Sequence, residues 1–316
     1  MPLKKTLKLK LIKPNKQEMK LKLYTLSNLL LIALIISSCG GGSKKGSKAG
    51  DVEFSSEEEK LVAEIDKVIK DLPPPSEVPY TLQAAAADFN EDLINDLSRL
   101  SAYQSNEDKA ALNLGIYATD MGYLTSYNQV QKTLDYLEGC QKLAETLGIS
   151  AIFDAQLVAT FQDNLNNTDT LSSMLDEAIA QASVNLQRAE RLNIGALVLT
   201  GSFIEGLYLA VKVIETYPTD VLDEANRNLI LEPLVRIVLD QEQPLIDIIK
   251  LLKDIPHDDT ILRMMSELNI LKLLYDGDLA DVEKKISENT GDFVLTQDML
   301  LDITTEVKRI RGEIVE

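Results

Sequence analysis

Apolar residues in this chain recur every three or four positions, and no run alternates convincingly at a period of two. The chain can therefore build a core only by packing helix on helix. Leu61, Ile65, Val68 and Leu72 form one stripe, opened by Ser55 with Glu58 in capping-box spacing and closed by Pro73-Pro74-Pro75. Val130, Leu134, Leu137, Cys140, Ala144 and Leu147 form a second, stopped by Gly148. Ile261, Met264, Leu268, Leu271 and Tyr275 form a third, with its end predicted near Gly277. Leu300, Ile303, Val307, Ile310 and Ile314 form a last one. Further helices are predicted near 106–127, 151–166, 169–192, 194–217, 223–240 and 243–254. They are joined by short polar connections such as Asn166-Asn167-Thr168 and Tyr217-Pro218-Thr219-Asp220. The expected fold is all-α, a multi-helix array or bundle of about ten helices, with one domain over residues 55–316.

Two of these helices are apolar almost all round and each contains one acid. Residues 112–124 read Leu-Asn-Leu-Gly-Ile-Tyr-Ala-Thr-Asp-Met-Gly-Tyr-Leu, and residues 197–209 read Leu-Val-Leu-Thr-Gly-Ser-Phe-Ile-Glu-Gly-Leu-Tyr-Leu. The likeness of the two is too thin to establish an internal repeat. The run 194–211 has the length of a membrane span, but Glu205 at its centre would cost about 2.5–3.5 kcal/mol on the insertion scale. A central helix buried on every side explains the same run without that penalty.

The N-terminal region follows a different plan. Eight lysines between Lys4 and Lys22 precede the apolar run Leu29-Leu30-Leu31-Ile32-Ala33-Leu34-Ile35-Ile36, and Ile36-Ser37-Ser38-Cys39 follows. The order basic, apolar, small is that of a secretory signal. The tetrapeptide resembles the lipobox of bacterial lipoproteins. In that family a peptidase cuts before the cysteine, whose sulfur carries diacylglycerol and whose new amino group is usually acylated. The resemblance implies a signal peptide over residues 1–38 and lipid on Cys39. Met19-Lys20-Leu21-Lys22 reads by itself as a conventional basic start for such a signal. The 14 mostly apolar positions 23–36 fall short of the ~20 needed for a helix to cross a bilayer. Each buried CH₂ of an acyl chain contributes ~0.8 kcal/mol, so two or three chains anchor stably where one does not. Gly40-Gly41-Gly42-Ser43-Lys44-Lys45-Gly46-Ser47 opens a flexible tether over residues 39–54, with a reach of roughly 20 Å. Gly40 is not the aspartate that marks inner-membrane retention in this family, and no early acidic cluster directs export to the cell surface. The resemblance implies the outer membrane, with the domain facing the periplasm.

Residues 75–148, from Pro75-Ser76-Glu77 through Ala111-Leu112-Asn113-Leu114-Gly115-Ile116-Tyr117 to Leu147-Gly148, resemble a set of helical bacterial lipoproteins. Glu205-Gly206-Leu207-Tyr208 fits the same set. That resemblance implies fold and location and carries no activity.

Hydrophobic content of 45% and charged content of 26% are those of a globular chain, not a disordered one. Eight of the 32 basic and one of the 50 acidic side chains lie in residues 1–38. The remainder has 24 against 49, a net charge of −25. Such a surface is repelled by phosphate backbones, so nucleic acid is not an expected partner. The expected partners are the membrane, through lipid on Cys39, and an envelope protein. With Cys39 acylated, Cys140 has no partner for a disulfide, and it lies on the apolar stripe of its helix as an inert buried thiol.

The sharpest chemical features are Asp120 and Glu205, because a carboxylate in an apolar helix must find a partner. If their helices pack together, the two acids could share a polar pocket with Asn113, Tyr117, Tyr123, Ser202 and Tyr208. Gly115, Gly122, Gly201 and Gly206 would then give close helix approach or room for a ligand. Paired carboxylates can also do acid–base work, which would need a cavity of a few hundred Å³ and a displaced pKa. The simpler expectation is that each acid is a packing residue. His257, the one histidine, follows Pro256 and precedes Asp258-Asp259, an exposed helix start. No H-E-x-x-H, paired C-x-x-C, G-x-S-x-G, P-loop or dinucleotide motif occurs, and Glu57-Glu58-Glu59 lacks EF-hand spacing. No metal, cofactor or catalytic residue is expected. Asp169-Thr170-Leu171 and Asp259-Thr260-Ile261 resemble a short acceptor pattern for periplasmic O-glycosylation and also fit helix N-termini. The reading is a non-enzymatic, lipid-anchored periplasmic protein of structural or protein-interaction type. The alternative is a small-molecule binding module centred on Asp120 and Glu205.

Overall fold

Asn106 opens the helix that organises the fold. Its side-chain oxygen accepts from the backbone N–H groups of Asp108 (2.7 Å) and Lys109 (3.2 Å), and Glu107 and Asp108 place negative charge on the first turn. In the computed structural model the helices are α1 Glu77–Ala84, α2 Glu107–Ser126, α3 Val130–Thr146, α4 Ala155–Asp163, α5 Thr168–Arg188 and α6 Leu192–Thr216. They continue with α7 Glu224–Leu239, α8 Glu242–Asp254, α9 Asp259–Leu274, α10 Ala280–Glu288 and α11 Leu301–Val315. The structure describes residue 67 and residues 72–153, 155–164, 167–188, 191–217, 224–288 and 295–316. Residues 1–54, with the signal segment, Cys39 and the tether, lie outside the described residues, as does the Ser55–Leu72 stripe apart from Lys67 and Leu72. Among the described residues there is no strand, and the architecture is the all-helical array of about ten helices that the periodicity demands.

Three helix ends show how the sequence stops each element. After α3, Gly148 takes φ +66°, its N–H bonds to Glu145 O, and Ile149 N–H bonds to Ala144 O (2.9 Å). Asn128 (φ 55°) ends α2 in the same way, with Gln129 N–H on Leu124 O. Ala86 (φ 59°) ends α1, with Ala87 N–H on Leu82 O. The predicted stop near Gly277 is not made. Gly277 is not left-handed, and the chain passes through a π-helical turn, Tyr275–Leu279, straight into α10. Tyr275 and Leu279 are both buried, and the Tyr275 hydroxyl donates to Val238 O (2.7 Å), so side-chain anchoring outweighs the glycine signal here.

Among the described residues the helices α2 and α6 make the most extensive contact, and α1, α5, α7, α8 and α11 also pack on α6. That crowding accounts for the apolar run in α6. The helix is long and apolar enough to cross a membrane, yet 94% of its most hydrophobic window is buried inside the fold. Every residue of α2 from Ala110 to Ser126 is buried as well. At the crossing, a β-carbon on Gly115 would lie 2.0 Å from Val198 O and 2.5 Å from Ser202 N. One on Gly201 would lie 2.0 Å from Leu112 O. The two backbones touch, and only glycine fits at either position. Beside the contact, Thr119 Oγ1 and Ser202 Oγ are 2.9 Å apart and share a hydrogen bond.

Candidate functional site

The α2–α6 contact brings Asp120 and Glu205 together. Both are fully buried, and their carboxyl groups are within hydrogen-bonding reach of each other. The residue that joins them is Arg311 of α11. Its Nε donates to Glu205 Oε2 (2.9 Å) and its Nη2 to Glu205 Oε1 (3.0 Å), a bidentate pair with Glu205 closed to solvent. The guanidinium lies over the Tyr208 ring, 4.6 Å from its centroid, which adds a cation–π contact. Arg311 stands four residues after Val307 and three before Ile314, so it borders the buried stripe of α11.

Asp120 has a different environment. Its Oδ2 accepts the Asn95 backbone N–H (3.0 Å), whereas Oδ1 is buried without a hydrogen-bond donor. Burial raises the Asp120 carboxyl well above the ordinary carboxylate range, and the neighbouring Glu205 charge raises it further. Arg311 and the Asn95 N–H oppose this without reversing it. The Arg311 guanidinium is pulled down by burial, but the Glu205 carboxylate more than offsets that and holds it firmly charged.

Around this centre a chain of hydrogen bonds ties residues 95–103, ahead of α2, to the C-terminus. Asn95 Nδ2 reaches Asn113 Oδ1 (3.5 Å), and Asn113 Nδ2 donates to Ile314 O (3.2 Å). Tyr103 donates from its hydroxyl toward Asn95 Oδ1 (3.2 Å) and Val315 O (3.1 Å), while Arg99 Nη1 donates to Val315 O (2.6 Å). Tyr136 donates to Asn95 O (2.7 Å). The last carbonyls of α11, which a helix end leaves without partners of its own, are thus filled by side chains from elsewhere.

Of the residues expected to converge, Asp120, Glu205, Asn113 and Tyr208 join this network. Tyr117 turns its hydroxyl to Asp96 O (3.1 Å) and packs edge-on against Tyr103 and Tyr136. Tyr123 accepts from Asn90 N–H (2.9 Å) and stacks on Phe89. Ser202 belongs to the helix crossing. Sequence reasoning missed Arg311, Asn95, Tyr103 and Tyr136. Arg311 carried a signal, a cation on the edge of an apolar stripe; the other three carried none.

The cavity beside Ser202, Gly206 and Phe203 has a volume of about 40 Å³, room for little more than water. Two larger hollows are lined by surface carboxylates: one of about 250 Å³ at Asp278, Asp281, Asp298 and Asp302, and one of about 450 Å³ at Glu91, Asp92, Asp96 and Asp135. Neither includes Asp120 or Glu205. Cys140 is buried, and burial pushes its thiol far up, leaving it unreactive. His257 is exposed, with Nε2 3.1 Å from Leu252 O, just before the Asp258 cap of α9. The Thr260 hydroxyl is engaged by Asp108 (2.6 Å). No group of three potential metal ligands occurs among the described residues. No protein-family model, curated protein or solved structure matches this chain, so its function has to be read from its own chemistry.

Proposed function

We propose that this chain is a lipid-anchored envelope protein whose helical domain is a non-catalytic scaffold for protein–protein contacts. Cys39 carries the lipid, residues after it form the tether, and the domain stands in the periplasm at the outer membrane. The observation that carries the scaffold reading is the internal use of the two buried acids. Both Glu205 oxygens are spent on Arg311 and one Asp120 oxygen on Asn95, and a carboxylate serving substrate has to be open to it. A second feature supports the same reading. On the face of α9 opposite its buried stripe, Leu262, Ile270 and Leu273 are 51%, 40% and 70% exposed.

The anchor is tested by labelling cells expressing the full chain with palmitate and fractionating their membranes. Wild type is expected to take label and pellet with the outer membrane, and Cys39→Ala to do neither; a labelled, membrane-bound Cys39→Ala would overturn the anchor. The scaffold is tested by native mass spectrometry of protein purified from its host. A small molecule that co-purifies with wild type and is lost in Glu205→Gln would replace the scaffold with the alternative binding module.

A further inference from the structure

Two carboxyl groups sealed from water, Asp120 and Glu205, are served by one guanidinium, Arg311. Glu205 takes it bidentately. Asp120 is left with Oδ1 buried and without a donor, and its carboxyl group neighbours that of Glu205. Two anions and one cation would leave an uncompensated charge in a dry interior, and buried groups in that position keep a proton instead. A hydrogen on Asp120 Oδ1 settles three features together. It turns the orphan oxygen into a donor, neutralises the surplus charge and gives the Glu205 carboxylate a third hydrogen bond beside the two from Arg311. We propose that Asp120 is a carboxylic acid at neutral pH, that it donates to Glu205, and that this bound proton is what allows Arg311 and the last turn of α11 to seat. Losing the proton to bulk water leaves two carboxylates facing one guanidinium and loosens the attachment of the C-terminal helix.

The other titratable groups around the pair do not compete. Tyr117 and Tyr123 of α2, Tyr136 and Cys140 of α3, Tyr103 just ahead of α2 and Tyr208 of α6 are all pushed upward by burial. Arg311 stays charged, and Asp96, held low by hydrogen bonds from Ser98, stays ionised. As pH rises from neutral, Asp120 is therefore the first group of the cluster to lose a proton. Because its value is raised in the folded chain, its contribution to stability is complete below the ordinary aspartate range. That contribution is lost as pH climbs through the folded value.

The test is isotope-edited infrared and carbon NMR on the full chain labelled at aspartate carboxyls. One aspartate is expected to show the protonated-acid signature at pH 7, and Asp120→Asn should remove it. Glu205→Gln should remove it too, because Asp120 then becomes the sole anion for Arg311 and ionises. A group merely packed in the core would keep its signature in Glu205→Gln. Melting temperature should fall more steeply with rising pH in wild type than in Asp120→Asn. An ordinary ionised spectrum for every aspartate at pH 7 would overturn the proposal, as would an acid signature that survives either substitution. An ordinary ionised wild-type spectrum overturns the proposal even if both variants fail to fold.

Discussion

The α2–α6 pair meets in two regions that obey different rules. At Gly115 and Gly201 the backbones touch, and what matters is the absence of any side chain. At Asp120 and Glu205, farther along the same helices, what matters is a third element, because Glu205 is paired only when α11 brings Arg311. The first contact is set by shape and is local to two helices. The second is set by charge and makes the C-terminal helix a condition for burying the pair.

The largest expected effect comes from breaking the shape rule. Gly201→Leu would place side-chain atoms where Leu112 O already lies, and no rotamer avoids the β-carbon itself. A loss of more than about 4 kcal/mol is expected, seen as failure to accumulate folded protein or as a collapsed urea midpoint. Gly201→Ala should also destabilise, although alanine favours an isolated helix by ~1 kcal/mol over glycine. A stable Gly201→Ala would mean that the crossing is looser than a 2.0 Å approach implies. Next comes the charge rule. Arg311→Ala leaves Glu205 buried without its cation and should cost about 3–5 kcal/mol. Replacing the whole set at once, Asp120→Leu with Glu205→Leu and Arg311→Met, should be close to neutral by denaturation. That contrast separates the regions: the ionic centre can be exchanged as a unit, and the glycine crossing cannot.

Most of the fold was legible because buried helices write their own period. The stripes at Val130–Leu147 and Leu300–Ile314 became α3 and α11, and Gly148 stopped α3 where left-handed geometry was needed. The two acids were legible as a pair in need of partners, since each interrupts an apolar helix. Their partners were harder to see. Asn95 enters through its backbone N–H, which every residue but proline carries, and Arg311 lies 106 positions from Glu205. Side-chain periodicity reports which face is buried and is silent about which distant residue meets it. The same limit explains Gly277, where the anchoring of Tyr275 on Val238 O overrode a local stop signal.

A smaller effect sharpens what glycine is for. Gly201 is needed for space, whereas the residue closing α1 is in a left-handed conformation that glycine adopts freely, and it is an alanine. Ala86 is exposed and at φ 59°, so Ala86→Gly should relieve backbone strain with no packing loss. The relief of ~1–2 kcal/mol is partly offset by the greater freedom of glycine in the unfolded chain, for a net gain of about 0.5–1 kcal/mol. An unchanged melting temperature would show that the Ala87–Leu82 closure, and not φ, governs that end.

The smallest effect is expected where ion pairs are most numerous. Arg309, two residues before Arg311, reaches Glu306, Glu313 and Glu267, and those three carboxylates hold its guanidinium firmly charged. Its side chain is 38% exposed, however, against 13% for Arg311. Water and salt screen the Arg309 cluster, and holding four long side chains in one geometry costs entropy, so Arg309→Ala should change stability by less than about 1 kcal/mol. That small change should shrink further as salt is added. Arg311→Ala should keep its full effect at high salt, because no ions reach Glu205 in the folded chain. Chemical denaturation of the two variants at low and high salt checks both statements. Equal losses at Arg309 and Arg311 would mean that the number of carboxylate partners, and not their burial, decides which arginine holds α11 in place.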